Sequence, residues 1–286
     1  MLGRRGITWA FTLPPAAWLV AFFIAPLVLI GAYSLRSGSG FLRLTDPWGL
    51  SLQQYQRIAE TPAWQYLLVV SLVMALVIAV AATVLAYPLA YFLKFRAGSR
   101  ASLYLILLLI PFATSYLLRI MAWKLMLGPE GAVNSFLTWV GLISHPLDSL
   151  VYSRAAVVIA LVYVWIPFAV LPIFAAMQRI ERAQLEAAAD LGAGPWSRFW
   201  RITVPLSLPG ALAALFMVFI PTVGEYVTPA LVGGSAGLMY GNIIQQFFTR
   251  AGNWPLGAAL SMIMLGLTLV MVLLALRVVN LRRLAT

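Results

Sequence analysis

Apolar residues in this chain come in long runs separated by short polar segments, without the strict alternation of a half-buried strand. The runs fall at residues 13–35, 66–93, 102–126, 155–177, 206–232 and 256–276. As an α-helix each is long enough to cross about 30 Å of hydrocarbon, so the pattern predicts an all-α integral membrane protein with six transmembrane helices in one domain. A helical bundle is favoured over a barrel because each run can satisfy its own backbone. Pro26, Pro88, Pro111, Pro167 and Pro221 lie inside these runs. Membrane helices tolerate them where neighbouring groups satisfy the freed carbonyls. The first run follows Arg4 and Arg5 but is too long for the apolar core of a signal peptide, and further runs come directly after it.

Composition agrees with this pattern. Of 286 residues, 63% are hydrophobic and 9% charged, against about 25% charged in soluble domains. There is no cysteine, which excludes disulfides, thiolate metal sites and cysteine nucleophiles, and His145 alone cannot build a histidine metal cluster. No metal ligand set and no catalytic residue is assigned. The net charge of +11 would suit nucleic acid, but its distribution has a different explanation. Arg4, Arg5, Lys94, Arg96, Arg100, Arg179, Arg182, Arg198, Arg201, Arg277, Arg282 and Arg283 all fall on one side of the predicted bundle. By the positive-inside rule that side is cytoplasmic, which places both termini and the segment 178–205 there and leaves no call for a nucleic-acid partner.

The opposite loops carry short elements of their own. Residues 51–64 (SLQQYQRIAETPAW) contain a short helix ending at Thr61-Pro62, and 130–143 (EGAVNSFLTWVGLI) reads as an amphipathic one lying in the interface. His145 precedes Pro146 and reads as a turn residue, while Trp123, Trp139, Trp165 and Trp254 read as interfacial anchors in contact with lipid.

One polar island stands out, Glu186–Gly210 (EAAADLGAGPWSRFWRITVPLSLPG). Its start is strongly helix-forming, Gly192 and Gly194 supply a flexible stop, and Pro195 suits the first turn of a second helix. Trp196, Phe199 and Trp200 then share one face at i, i+3, i+4 spacing. Such a ridge either docks a second protein or lies flat on the inner leaflet, and the residues alone allow both.

The spacing of this island resembles the EAA loop of binding-protein-dependent ABC importer permeases. The matching residues are Glu186, Ala187 and Ala188, then Gly192, Ile202, Pro205 and Pro209, with Val204 standing where that pattern has leucine. The segments 51–64, PFATSYLLRIMAW (111–123) and GEYVTPALVGG (224–234) are similar to the spermidine/putrescine branch, and the likeness covers most of the chain. Permeases for sulfate, iron and other amines share parts of the plan. The resemblance implies a type I ABC importer permease fold in a bacterial inner membrane. It further implies a second permease subunit, a paralogue or else a second copy of this chain, together with a dimer of ATPase subunits and an extracytoplasmic binding protein. Within the loop it implies that Glu186, Ala187, Ala188, Asp190, Gly192, Trp196 and Phe199 meet the ATPase.

The chain itself cannot bind and hydrolyse ATP through a P-loop. A P-loop needs glycines ahead of its lysine, and neither Lys94 nor Lys124 has them. ATP and magnesium are therefore expected on the partner ATPase and no cofactor in this chain, unless an ion gradient drives transport. A gradient-driven transporter would show an internal repeat and ionisable residues at the midplane. No repeat is evident.

Inside the predicted spans, Glu225 and Arg119 are the ionisable groups that need a reason, since such groups are costly in lipid. Counting about 1.5 Å per residue puts both in the outer half of the membrane. They either pair to hold the third and fifth spans together, or Glu225 lends a carboxylate to the path of a cationic amine. In the second case Ser115, Tyr116, Tyr226 and Thr228 would be polar or cation–π neighbours.

Overall fold

The computed structural model describes residues 4–38, 49–147 and 150–284. Among these residues helices are the only extended regular structure, apart from an isolated bridge between Arg36 and Leu50. Five helices are long and apolar enough to cross a membrane, and a sixth crossing requires a bent pair to be counted as one span. Two compact units are distinguishable, Met1–Tyr66 with Ile243–Thr286, and Leu67–Asn242.

In the first unit, α1 (Arg4–Leu19) and α2 (Ala25–Ser34) form one path through a π-helical turn at Val20–Ile24. α2 packs on α13 (Trp254–Leu284), close enough that a β-carbon on Gly31 would lie 3.8 Å from Met262 Cε. The short helix α3 (Gln53–Ala59) also packs on α13 and confirms the helix expected in residues 51–64. It is fastened to the end of α2 by the Tyr55 hydroxyl, which donates to Ser34 Oγ at 2.8 Å. Gln54, almost fully buried, donates from Nε2 to the Gly38 carbonyl at 2.8 Å. The side chains of residues 11–24 are all exposed, as expected of an apolar helix with lipid or another subunit around it.

The second unit is built on α8 (Arg154–Met177) packed along α11 (Val204–Val223). Small residues bring the two helices close: a β-carbon on Gly210 would collide with the Pro172 carbonyl and Ala176 Cβ. That is the usual device where no hydrophobic force separates helix from lipid. Ser153 caps α8, its hydroxyl accepting from Ala156 N at 3.1 Å. α4 (Pro62–Phe95) presents a fully buried stripe of Ala75, Ala79, Ala82, Ala86 and Ala90. At its far end the Lys94 ammonium donates to the Gln178 carbonyl at 3.2 Å, just past the end of α8.

The third predicted span, 102–126, is not one rod. α5 (Ala101–Leu109) ends in a 3-10 turn at Ile110–Ala113, and α6 (Tyr116–Leu127) leaves at 87° to it. Pro111 starts the break, because its ring clashes with the carbonyl four residues back and it has no N–H to donate. Thr114 completes it: its hydroxyl takes the Pro111 carbonyl at 2.6 Å while its backbone goes extended. α7 (Ala132–Trp139) follows α6 closely. Asn134, buried, secures the following loop by accepting from Leu147 N at 2.8 Å and donating to the Gly128 carbonyl at 2.9 Å.

The fifth span also differs from the expected 206–232. A continuous helical path runs from Pro195 to Val223 and then stops. Residues 224–226 leave helical structure, and a separate short turn of helix follows, ending in a π-helical segment at Pro229–Gly233.

Candidate functional site

Two places hold the residues expected to be functional. The first is the polar island. α9 (Arg182–Asp190) opens with a capping box: the Glu181 side chain accepts from the backbone of Gln184, and Glu181 N donates to Gln184 Oε1 at 3.3 Å. It closes with a Schellman motif, Gly192 N bonding Ala189 O and Ala193 N bonding Ala188 O, each at 2.9 Å. Gly192 sits at φ +83°, a conformation that glycine reaches freely. α9 has no buried residue, Glu186 and Asp190 are exposed, and Leu191 is 88% exposed.

α10 (Pro195–Arg198) starts at the expected proline, and the angle between α9 and α10 is held by Arg198, whose Nη1 donates to the Leu185 carbonyl at 3.2 Å. The helix then widens into a π turn at Phe199–Thr203 before continuing as α11. Pro205 gives the reason. A proline collides with the carbonyl four residues earlier, here Arg201, and the wider turn moves that carbonyl aside.

The π turn also decides which aromatic faces where. Trp196, Phe199 and Trp200 do cluster, with ring centroids 5.3–5.7 Å apart. Phe199 turns inward to meet Tyr87 and Tyr91 of α4 edge-on, each at 5.8 Å, whereas Trp196 and Trp200 stay 73% and 53% exposed. A cavity of about 540 Å³ lies beside this cluster, lined by α4 and the start of α11. One turn further on, Tyr87 Oη and Ser207 Oγ are 2.6 Å apart, and the Ser207 hydroxyl also lies 2.6 Å from the Thr203 carbonyl.

The second place is where the two interrupted helices meet. Both α6 and the short turn after α11 begin here, joined by the Tyr116 and Thr228 hydroxyls at 2.5 Å. Glu225 caps the second of them, with Oε1 accepting from Val227 N at 2.9 Å and Thr228 N at 3.0 Å. Arg119 lies one turn into α6 with its guanidinium 4.4 Å from the Phe112 ring centre and 5.8 Å from that of Tyr116. Its Nε and Nη1 are buried without a hydrogen-bond partner, so the Glu225 carboxylate meets neither of them. The Tyr116 phenol is within electrostatic reach of both charges. The depth counted along straight spans does not apply to either residue, since α6 turns away at Ser115 and Glu225 stands beyond the end of α11. Ser115 and Tyr226 are exposed.

Sequence reasoning did not anticipate several residues that shape this place, all at the start of α12 (Tyr240–Thr249) or facing it. Asn242 donates from Nδ2 to the Tyr226 carbonyl at 2.7 Å. Gly241 has the Gly224 and Glu225 carbonyls 2.8 Å from where its β-carbon would be, so only glycine fits there. Ser71 accepts from Tyr240 N at 2.6 Å and ties the same segment to α4. The sequence around them, 233–254, is Gly-rich with Arg250 as its one charge, a pattern too weak to assign a role. Phe112 was within reach, as the aromatic residue next to the span-breaking Pro111.

An all-α membrane subunit with interrupted spans and an exposed helix–turn–helix between the fourth and fifth is what the geometry defines. The chain belongs to the family of binding-protein-dependent transport system inner membrane components, whose model matches residues 82–284. It is similar to the spermidine/putrescine transport system permease protein PotB of Escherichia coli K12, 37% identical over 92% of this chain and 95% of that protein. PotB of Haemophilus influenzae is 34% identical over 90% of this chain and 88% of its own length. The fold matches that of a bacterial alginate ABC transporter solved with its alginate pentasaccharide-bound periplasmic protein, at 17% identity and a TM-score of 0.69 over 95% of this chain and 93% of that one. The type I ABC importer permease fold and a multi-pass place in the inner membrane follow.

Proposed function

We propose that this chain is one permease subunit of an ATP-driven importer for spermidine, putrescine or a related organic amine, working by alternating access. The observation that carries the reading is the pairing of two features on one continuous helix. At one end stands an exposed, rigidly capped helix–turn–helix of the EAA type, and at the other a polar break holding Glu225. The substrate class rests on the likeness to the PotB proteins over most of the chain.

In this reading α9 seats in a cytoplasmic ATPase, which supplies the ATP and magnesium. Glu186, Ala187, Ala188, Asp190, Gly192 and Trp196 form the contact, and Phe199 carries motion inward to α4. Both termini are cytoplasmic. A second permease subunit completes the path, and an extracytoplasmic binding protein delivers the amine, as the periplasmic protein seated on the alginate transporter suggests. Glu225, Tyr226, Thr228, Tyr116, Ser115 and Arg119 line the route. The carboxylate offers a counter-charge to an ammonium group, and the aromatic rings offer faces on which a cation can rest. This chain performs no chemistry on ATP or on the solute.

The test is reconstitution of the four kinds of subunit in proteoliposomes. Labelled putrescine or spermidine should enter only with ATP inside and binding protein outside, and amine-loaded binding protein should raise ATP hydrolysis. Uptake that continues without ATP under an ion gradient would overturn the importer reading, and uptake of other solutes in place of amines would overturn the substrate.

A further inference from the structure

The place where the two interrupted helices meet contains a cation already, Arg119 of α6. Two nitrogens of the Arg119 guanidinium, Nε and Nη1, are buried with no hydrogen-bond partner. Leaving charged donors unfilled away from water is unfavourable, so something must hold the group where it is. What holds it is aromatic: the Phe112 ring at 4.4 Å and the Tyr116 ring at 5.8 Å. Phe112 is itself fixed edge-on against Phe168 of α8, with centroids 4.6 Å apart, so this face is a rigid one. Glu225, the carboxylate of the same region, has one oxygen engaged by the Val227 and Thr228 amides. The helix N-terminus that it caps adds partial positive charge, so the site is not strongly negative.

These features create a conflict for a site that receives an amine. An ammonium would seek the aromatic faces and the carboxylate, and Arg119 already occupies the faces. We propose that Arg119 is a tethered competitor of the substrate. It covers the cation-binding face until the amine enters, is displaced at that moment, and keeps the affinity for the amine low enough for release. A transport path needs binding sufficient for entry and weak enough for exit. A resident guanidinium sets that balance within the protein, and it denies the bare aromatic face to inorganic cations. This inference rests on the amine-importer reading above.

The experiment measures labelled putrescine and spermidine uptake by the reconstituted transporter carrying Arg119→Met or Arg119→Lys. Removing the charge should lower the KM for amine by about tenfold, the scale of a desolvated cation–π contact. It should also lower kcat, because release slows. Lysine keeps the charge and should restore a KM near that of the unaltered chain. Phe112→Leu, which deletes the contested face, should raise KM, and it serves as the readout if Arg119→Met does not reach the membrane. Equal losses of kcat in both Arg119 variants with KM unchanged would reduce Arg119 to a structural role and overturn the proposal. A raised KM in Arg119→Met would do the same, by making the guanidinium an attractive contact. If the unaltered transporter takes up no amine, the substrate reading fails instead, which is a separate result.

Discussion

Replacing Arg198 with alanine removes the strut between α9 and α10 and leaves the contact surface of α9 untouched. The strut is a single charge-assisted bond, Arg198 Nη1 to the Leu185 carbonyl at 3.2 Å. Bonds to charged groups contribute about 1.5–3 kcal/mol when buried. Arg198 is partly exposed, so a discounted figure of about 1 kcal/mol is appropriate. What remains between the two helices is the Schellman turn at Gly192 and Ala193, which caps α9, and then Gly194, a glycine about which α10 can pivot. A loss of about 1 kcal/mol lowers the population of the aligned arrangement about fivefold relative to its alternatives. The consequence should be uncoupling. In proteoliposomes that report phosphate release and labelled amine uptake together, ATP hydrolysis should persist while amine moved per ATP falls about fivefold. Co-purification of the ATPase should be unchanged, and Arg198→Lys should recover part of the ratio. An unaltered ratio of uptake to hydrolysis would refute the strut, and so would complete loss of the ATPase subunit, which would make Arg198 part of the docking surface.

Other expectations follow from named contacts. Glu186→Lys should insert normally yet lose most of its ATPase on co-purification, because it reverses a charge on the exposed face of α9. Glu225→Gln keeps an oxygen able to accept from Val227 and Thr228, so thermal stability in detergent should hold while amine uptake falls at least tenfold, on the order of one lost charge contact. Glu225→Ala loses the cap as well and should unfold more readily, by about 1 kcal/mol. Gly241→Ala forces a β-carbon against the Gly224 and Glu225 carbonyls and should cost about 1–3 kcal/mol, read as a lowered melting temperature.

Most spans were legible because their length is set by the bilayer, and a run such as 155–177 can do little else. Where the sequence misled, proline was the reason. Pro88, Pro167 and Pro172 sit inside continuous helices, whereas Pro111 ends one, and hydropathy does not separate the cases. The difference lies in the neighbour: Thr114 can take the Pro111 carbonyl and make the break comfortable. The fifth span was displaced for a related reason, as the segment after Glu225 is apolar enough to pass for more of the same helix although it starts a new one. In the loop, Gly192, Gly194 and Pro195 marked their turns correctly. The i, i+3, i+4 spacing grouped the three aromatics but could not foresee a π turn that sends Phe199 inward and leaves its neighbours outside. Glu225, Tyr116, Thr228 and Arg119 were found as a set because charges and hydroxyls are rare in apolar runs. Gly241 and Asn242 carried no such contrast.

The close approach at Gly210 has a consequence for how motion is shared along its helix. From Pro195 to Gly210 is about 22 Å of helix, and from Gly210 to Gly224 about 21 Å. The contact with the Pro172 carbonyl and Ala176 is thus near the midpoint between the loop and the polar break. A rod that rocks on such a point is a balance beam with arms of almost equal length. A tilt of about 5° carries each end about 2 Å, in opposite directions. Rocked on that point as one rigid rod, the helix would carry to the break a displacement of the same size as the loop's and reversed in sense.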